Sequence, residues 1–184
     1  MNEARETLRL AGIAEESIVD GPGLRYVVFV QGCPHRCAGC HNPRTHDPLG
    51  GYDIDGAELI SRFQSCVRDN PLISGVTLSG GEPFAQARQL LPFARFIREL
   101  GFDLWIYTGW TIEEILSRLD PYETALLGCA DALVDGRFES GKRTLDMSFV
   151  GSANQRIIRR EEIKYRTSGP CPEPWQGTCS PHPL

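Results

Sequence analysis

One seven-residue run constrains this chain more than any other. Leu24 to Val30 (LRYVVFV) is rich in β-branched and aromatic residues, reads as a buried strand, and leads almost directly into Cys33. Downstream of it the chain keeps alternating. Asp55 to Val67 carries Leu59, Ile60, Phe63 and Val67 at helical spacing. Gly75 to Leu78 is a short strand, and Gln86 to Leu100 a helix with Leu90, Leu91, Ala94 and Ile97. Phe102 to Tyr107 (FDLWIY) is a strand. Thr111 to Leu119 is a helix opened by a threonine cap, with Glu113 and Glu114 in its first turn. Ala132 to Val134 is a further strand, and Met147 to Val150 and Gln155 to Ile158 add one or two more. Strand and helix in alternation predict a parallel α/β sheet with right-handed crossovers.

The order of unusual segments along the chain carries a second inference. Cys33 follows the first of these strands, and Gly80-Gly81-Glu82-Pro83 follows the second. Tyr107-Thr108-Gly109 closes the third, and Asp135-Gly136 closes the fourth. In a parallel sheet the carboxyl ends of all strands lie on one edge, where α/β folds place their ligands. Four loops are therefore expected to converge on one pocket.

The cysteine loop, Cys33-Pro34-His35-Arg36-Cys37-Ala38-Gly39-Cys40, has the spacing C-x3-C-x2-C. Closely spaced thiolates are the usual ligands of iron–sulfur clusters. A four-iron cubane has four corners, so three cysteines leave one iron open to a substrate, as in catalytic metal sites. A zinc site completed by His35 or His41 is the alternative. Of the other four cysteines, Cys66 and Cys129 sit among apolar neighbours and are expected to be buried thiols. Cys171 and Cys179 flank a proline-containing stretch.

The bulk properties exclude several classes. The 184 residues suit one domain with a real core. A net charge of −5 and a pI near 5.4 leave no electrostatic footprint for nucleic acid or a membrane surface. No signal peptide is evident, the longest apolar run is Tyr26 to Val30, and seven cysteines fit poorly with paired disulfides, so the cytoplasm is expected. Residues 1–168 read as a single domain. Residues 169–184, with five prolines and two cysteines, read as an extended tail.

The cysteine loop after one strand and Gly-Gly-Glu-Pro after the next resemble the radical S-adenosylmethionine superfamily. That superfamily commonly has an aromatic residue before the third cysteine, where this chain has Gly39. The departure points to a subgroup. Asp20-Gly21-Pro22-Gly23-Leu24-Arg25, Phe29-Val30-Gln31-Gly32-Cys33-Pro34 and Gly39-Cys40-His41-Asn42-Pro43 open the series. Thr77 to Phe84 (TLSGGEPF), Val134-Asp135-Gly136-Arg137-Phe138 and Gly151-Ser152-Ala153-Asn154-Gln155-Arg156 complete it. In order, these are similar to activating proteins of anaerobic ribonucleotide reductase, from about Ile18 to Ile158.

The resemblance implies an incomplete (β/α) barrel of the radical S-adenosylmethionine type, with parallel strands and outer helices. It implies a 4Fe–4S cluster on Cys33, Cys37 and Cys40, with S-adenosylmethionine on the open iron. The cofactor-binding candidates are Gly39, Cys40, His41, Ser79, Gly80, Gly81, Glu82, Thr108 and Asp135. Glu82 is a candidate acceptor for the cofactor's ammonium, and Asp135 for a hydrogen bond to the cofactor or for placing a target peptide. Arg25 and Asn154-Gln155-Arg156 are candidates for steering a partner's loop. The implied reaction takes a hydrogen atom from a glycine of an anaerobic ribonucleotide reductase, with flavodoxin or ferredoxin supplying the electron. Three alternatives stand beside it: an activase for another glycyl-radical enzyme of the pyruvate formate-lyase type, a radical enzyme acting on a small molecule, or a non-enzymatic iron–sulfur or zinc module.

Overall fold

A computed structural model describes residues 7–167; the tail with Cys171 and Cys179 lies outside these residues. The strands are β1 Leu8–Ser17, β2 Leu24–Val30, β3 Tyr52–Ile54, β4 Ile73–Gly80, β5 Asp103–Tyr107, β6 Ala132–Asp135 and β7 Arg156–Arg159. The helices are α1 Gly56–Asp69, α2 Ala87–Glu99, α3 Ile112–Ser117, α4 Pro121–Cys129 and α5 Arg160–Thr167. The strands form one open seven-stranded sheet in the order β3-β1-β2-β4-β5-β6-β7.

The four central strands, β2, β4, β5 and β6, run parallel, as the alternation predicts. The flanks do not. β1 runs antiparallel to β2 and to β3, and β7 antiparallel to β6, so the sheet is mixed. Met147 to Val150 is not a strand. Phe149 sits at φ +64°, which no extended segment tolerates, and its ring packs edge-on against Trp105 at 5.5 Å.

The helix ends follow their capping residues. Asp55 accepts from the Ala57 amide at 2.8 Å and starts α1. Thr111 and Glu114 form a reciprocal capping box at the start of α3. Asp120 accepts from Tyr122 and Glu123, with Pro121 in the first turn, and starts α4. The periodicity missed α4 because Ala125, Leu126 and Leu127 are consecutive and mark no stripe. The Asp120-Pro121 pair was the available signal.

All five helices pack on one face of the sheet. Phe63 of α1 stands edge-on to Tyr26, Phe93 and Phe102 with ring centroids 5.3, 6.0 and 5.2 Å apart, at the centre of that layer. None of the described α-helices lies on the other face. Its strands are covered by irregular segments bearing Phe149 and Val150, and a cleft remains over their carboxyl ends. No described helix is long and apolar enough to cross a membrane.

Candidate active site

The four strand-end loops meet at one cavity of about 450 Å³. Cys33, His35, Cys40 and His41 come from the loop after β2, and Ser79, Gly80 and Gly81 from the end of β4. Tyr107, Thr108 and Gly109 come from the end of β5, and Gly136 and Phe138 from the loop after β6. Phe29, Tyr107, Phe138 and Phe149 make much of the wall aromatic. These four are missing from the sequence-level candidates. Period-two alternation puts Phe29 and Tyr107 on the helix-free face, and that signal was available once the covered face was known.

Close backbone approach explains the glycine pair. A Cβ on Gly81 would stand 2.3 Å from the carbonyl oxygen of Gly32, and one on Gly80 2.7 Å from the Phe29 Cα. The ends of β2 and β4 are thus pressed together, with Gly81 N–H donating to Val30 O at 2.8 Å and Glu82 N–H to Gly32 O at 2.9 Å. Gly32 immediately precedes Cys33, so the glycine pair and the cysteine loop share one backbone junction.

Glu82 departs from its expected role. Its side chain is 0% exposed and turned away from open space. It accepts from Phe84 N–H at 3.0 Å, Thr108 O–H at 2.8 Å, Gly109 N–H at 2.9 Å and His35 Nε2 at 2.8 Å. A carboxylate has about four acceptor positions, and the protein fills them. None is left for a cofactor ammonium; Glu82 ties three loops together instead.

Asp135 is likewise turned inward. It accepts from Ile112 N–H at 2.9 Å, at the start of α3, and from Arg156 Nε–H at 2.9 Å, and it does not line the cavity. Thr108 lines the cavity but spends its hydroxyl proton on Glu82. Ser79 lines it with a hydroxyl that has no partner among the described residues. Gly39 is exposed at φ +74°, a conformation that favours glycine over an aromatic residue there. His41 is exposed and packs its ring on Phe138 at 4.9 Å.

The residues read as steering a partner's loop all bond within the chain, and of them Arg156 stays exposed. Arg25 is 1% exposed, and burial lowers its pKa while Asp103, 2.7 Å away, opposes that shift. Asn154 donates to Arg137 O at 2.8 Å and Gln155 to Gly136 O at 2.9 Å, bracing the cavity wall. Arg156 pairs with Asp135 and Glu113. Cys66 is buried, as expected, whereas Cys129 is only half-buried, and desolvation pushes both thiols up.

The cysteine loop fits an iron–sulfur cluster by its donors. Cys33, Cys37 and Cys40 are free thiols on a loop that curls back through Cys40 N–H to Cys37 O at 3.1 Å, with Arg36 at φ +47°. Asn42 N–H points at the Cys40 sulfur at 3.3 Å, the kind of amide contact that tunes cluster thiolates. At Cys33 burial pushes the thiol up, the backbone amide of His35 pulls it down, and the charge of Glu82 adds to the rise. Ligation to iron removes that proton outright. Among the described residues no three such side chains close on a single-ion point. A cubane is larger than one ion and takes its thiolates from further apart. His35, one candidate to complete a zinc site, has both ring nitrogens committed, to Glu82 and Arg137.

Comparison with known proteins agrees with this chemistry. A family model described as a 4Fe-4S single cluster domain matches residues 19–158. The anaerobic ribonucleoside-triphosphate reductase-activating protein of Pasteurella multocida is 34% identical, over 77% of this chain and 91% of its own length. The chain belongs to this family of reductase-activating proteins. Other relatives include the family's Enterobacteria phage T4 member, 32% identical over 76% of this chain and 86% of its own. The pyruvate formate-lyase-activating enzyme of Clostridium pasteurianum is 38% identical over 61% of this chain but 49% of its own length. Family membership covers the cysteine loop, the glycine pair and the wall from Val134 to Arg156, all within the matched residues.

Proposed function

We propose that this chain is a radical S-adenosylmethionine activase that places a glycyl radical on an anaerobic ribonucleotide reductase. One observation carries the reading: Cys33 and Cys40 open onto the same cavity as the tightly packed backbone of Gly80 and Gly81. An electron carrier has no use for such a cradle beside its cluster. Cys33, Cys37 and Cys40 would hold the cluster. The backbone of Gly80 and Gly81 and the unpartnered Ser79 hydroxyl would meet the polar methionine end of the cofactor. The aromatic wall of Phe29, Tyr107, Phe138 and Phe149 would exclude water from a reactive intermediate. A 4Fe–4S cluster held there by Cys33, Cys37 and Cys40 would supply the electron for reductive cleavage of S-adenosylmethionine, the source of the hydrogen-abstracting chemistry needed at the target glycine.

The open sheet with helices on one face supports an incomplete (β/α) barrel, and residues 1–168 are read as one catalytic domain in the cytoplasm. Flavodoxin or ferredoxin is the proposed electron donor. The test is anaerobic reconstitution followed by reduction with S-adenosylmethionine, with and without the reductase. The expected products are 5′-deoxyadenosine and a glycyl-radical signal on the reductase. Cys37→Ala should lose both products, while Cys66→Ala should keep them. Absence of 5′-deoxyadenosine from a cluster-loaded chain would sink the proposal. Because one relative is named a pyruvate formate-lyase-activating enzyme, that lyase serves as the competing target. A radical on it and none on the reductase would reassign the partner.

A further inference from the structure

Four protons converge on the carboxylate of Glu82, and hydrogen-bond accounting assigns each. Phe84 and Gly109 contribute backbone N–H groups, which only donate. The Thr108 hydroxyl accepts from Trp110 N–H at 3.0 Å and donates its own proton to Glu82 at 2.8 Å. The Nδ1 atom of His35 faces Arg137 Nε at 3.2 Å, and a guanidinium N–H only donates. Nδ1 is therefore the acceptor, and Nε2 carries the proton toward Glu82. A group that accepts all four and donates none is an ionised carboxylate, buried beside the cysteine loop and stabilised by charge-assisted hydrogen bonds.

His35 is how that charge reaches the loop. Between Cys33 and Cys40, the residues Pro34, Arg36, Ala38 and Gly39 are more open to solvent, whereas the His35 side chain is 3% exposed. Its ring stands edge-on to Trp110 at 4.3 Å, and a Cβ added to Gly109 would strike it at 2.3 Å, so the seat has no slack. Arg137, which holds the other ring nitrogen, stacks on the same Trp110 at 5.1 Å and pairs with Glu114. The ring thus links the loop bearing Cys33 and Cys37 to the loops after β4, β5 and β6.

We propose that His35 is a positioning residue: it pins the cysteine loop to Glu82 and Arg137 and so sets the placement and electrostatic surroundings of the cluster. The proposal rests on the reading of Cys33, Cys37 and Cys40 as cluster ligands. A residue that merely filled space would leave the electronic properties of the cluster alone.

The test uses the full chain, reconstituted anaerobically with iron and sulfide, without cofactor or partner. His35→Leu removes both hydrogen bonds. His35→Gln retains a donor for Glu82 and an acceptor for Arg137. Iron content, the midpoint potential and the low-temperature EPR spectrum of the reduced cluster are read. His35→Leu is expected to lose iron several-fold and to shift both the potential and the spectrum, and His35→Gln to restore all three. Wild-type iron content, potential and spectrum in His35→Leu would overturn the proposal. So would a His35→Gln variant as impaired as His35→Leu. If circular dichroism shows that His35→Leu does not fold, Thr108→Val decides, since it removes one of the two hydrogen bonds to Glu82 Oε1 without substituting a residue of the cysteine loop. A smaller shift in potential supports the proposal, and an unchanged potential overturns it. Failure of the wild-type chain to take up iron is a separate result, and it would remove the cluster reading itself.

Discussion

Two neighbouring rows of side chains cross the sheet one residue apart, and different layers cover them. Val28, Leu78, Ile106, Leu133 and Ile158 stand side by side across β2, β4, β5, β6 and β7. All are apolar and belong to the helix-covered core. The adjacent row is Val27, Thr77, Trp105, Ala132 and Arg159. There Thr77 accepts from Arg25 Nε at 2.7 Å, and Arg159 lies over the Trp105 ring at 4.8 Å. The strands and the register are the same; the difference is the layer above. Helices demand an apolar surface, whereas a face covered by loops can carry polar groups and open into a cleft. A one-residue slip would exchange the rows, so the register also decides where the site can be.

Truncating the first row should show its weight most plainly. Leu78 is fully buried, and Leu78→Ala leaves a cavity under the helices, with an expected cost of about 2–5 kcal/mol. Urea denaturation measures this. Iron content under native conditions should stay at the wild-type level, because the row faces away from the cysteine loop. A cost below about 1 kcal/mol would mean that the helix layer collapses onto the gap, and would erase the contrast between the faces.

Thr77, the residue beside it, is expected to fail for another reason. Thr77→Val keeps the shape but removes the hydroxyl that accepts from Arg25 and donates to Asp20 O at 2.7 Å. A buried guanidinium N–H loses its partner, at an expected cost of about 1–3 kcal/mol. The check is a double-mutant cycle with Arg25→Met. Strong coupling identifies the hydrogen bond as the cause, and additivity would make the row a matter of packing after all.

This contrast also explains what could be read in advance. Short apolar runs exposed β2, β4, β5 and β6, apolar residues at helical spacing exposed α1 and α2, and a threonine cap exposed α3. The convergence of four loops followed from chain order alone. The antiparallel flanks did not follow, because Leu8–Ser17 mixes charges into its alternation and carries no directional signal. The polar residues of the site were read by type. Glu82, Asp135 and Arg25 all carry charge, and charge on a strand end suggests a ligand contact. Their hydrogen bonds are long-range in sequence, from Thr108 and Gly109 to Glu82, from Arg156 to Asp135, and from Arg25 to Asp103. Only folding shows which charges are already spent.

The mildest effect belongs to a charge outside both rows. Glu113 of α3 bonds Arg156 of β7 and Arg166 of α5, joining three elements at the surface. The hydrogen bond from Arg156 lowers its pKa from 4.5 to about 2. A carboxyl depressed in the folded state binds fewer protons there than in the unfolded chain. It therefore stabilises the fold above the ordinary value of 4.5, and that contribution disappears as the pH falls from 4.5 toward 2. The side chain is 53% exposed, so solvent screening holds the contribution below about 1 kcal/mol. Glu113→Gln should lower the urea midpoint slightly at pH 7, and the gap from wild type should narrow as the pH drops through 4. Arg156 would keep Asp135 as a partner in that variant, so the inner-face site should hold its cluster. A gap that widens in acid would show that the pairing carries the opposite linkage, and a loss of iron would show that this surface network supports the site after all.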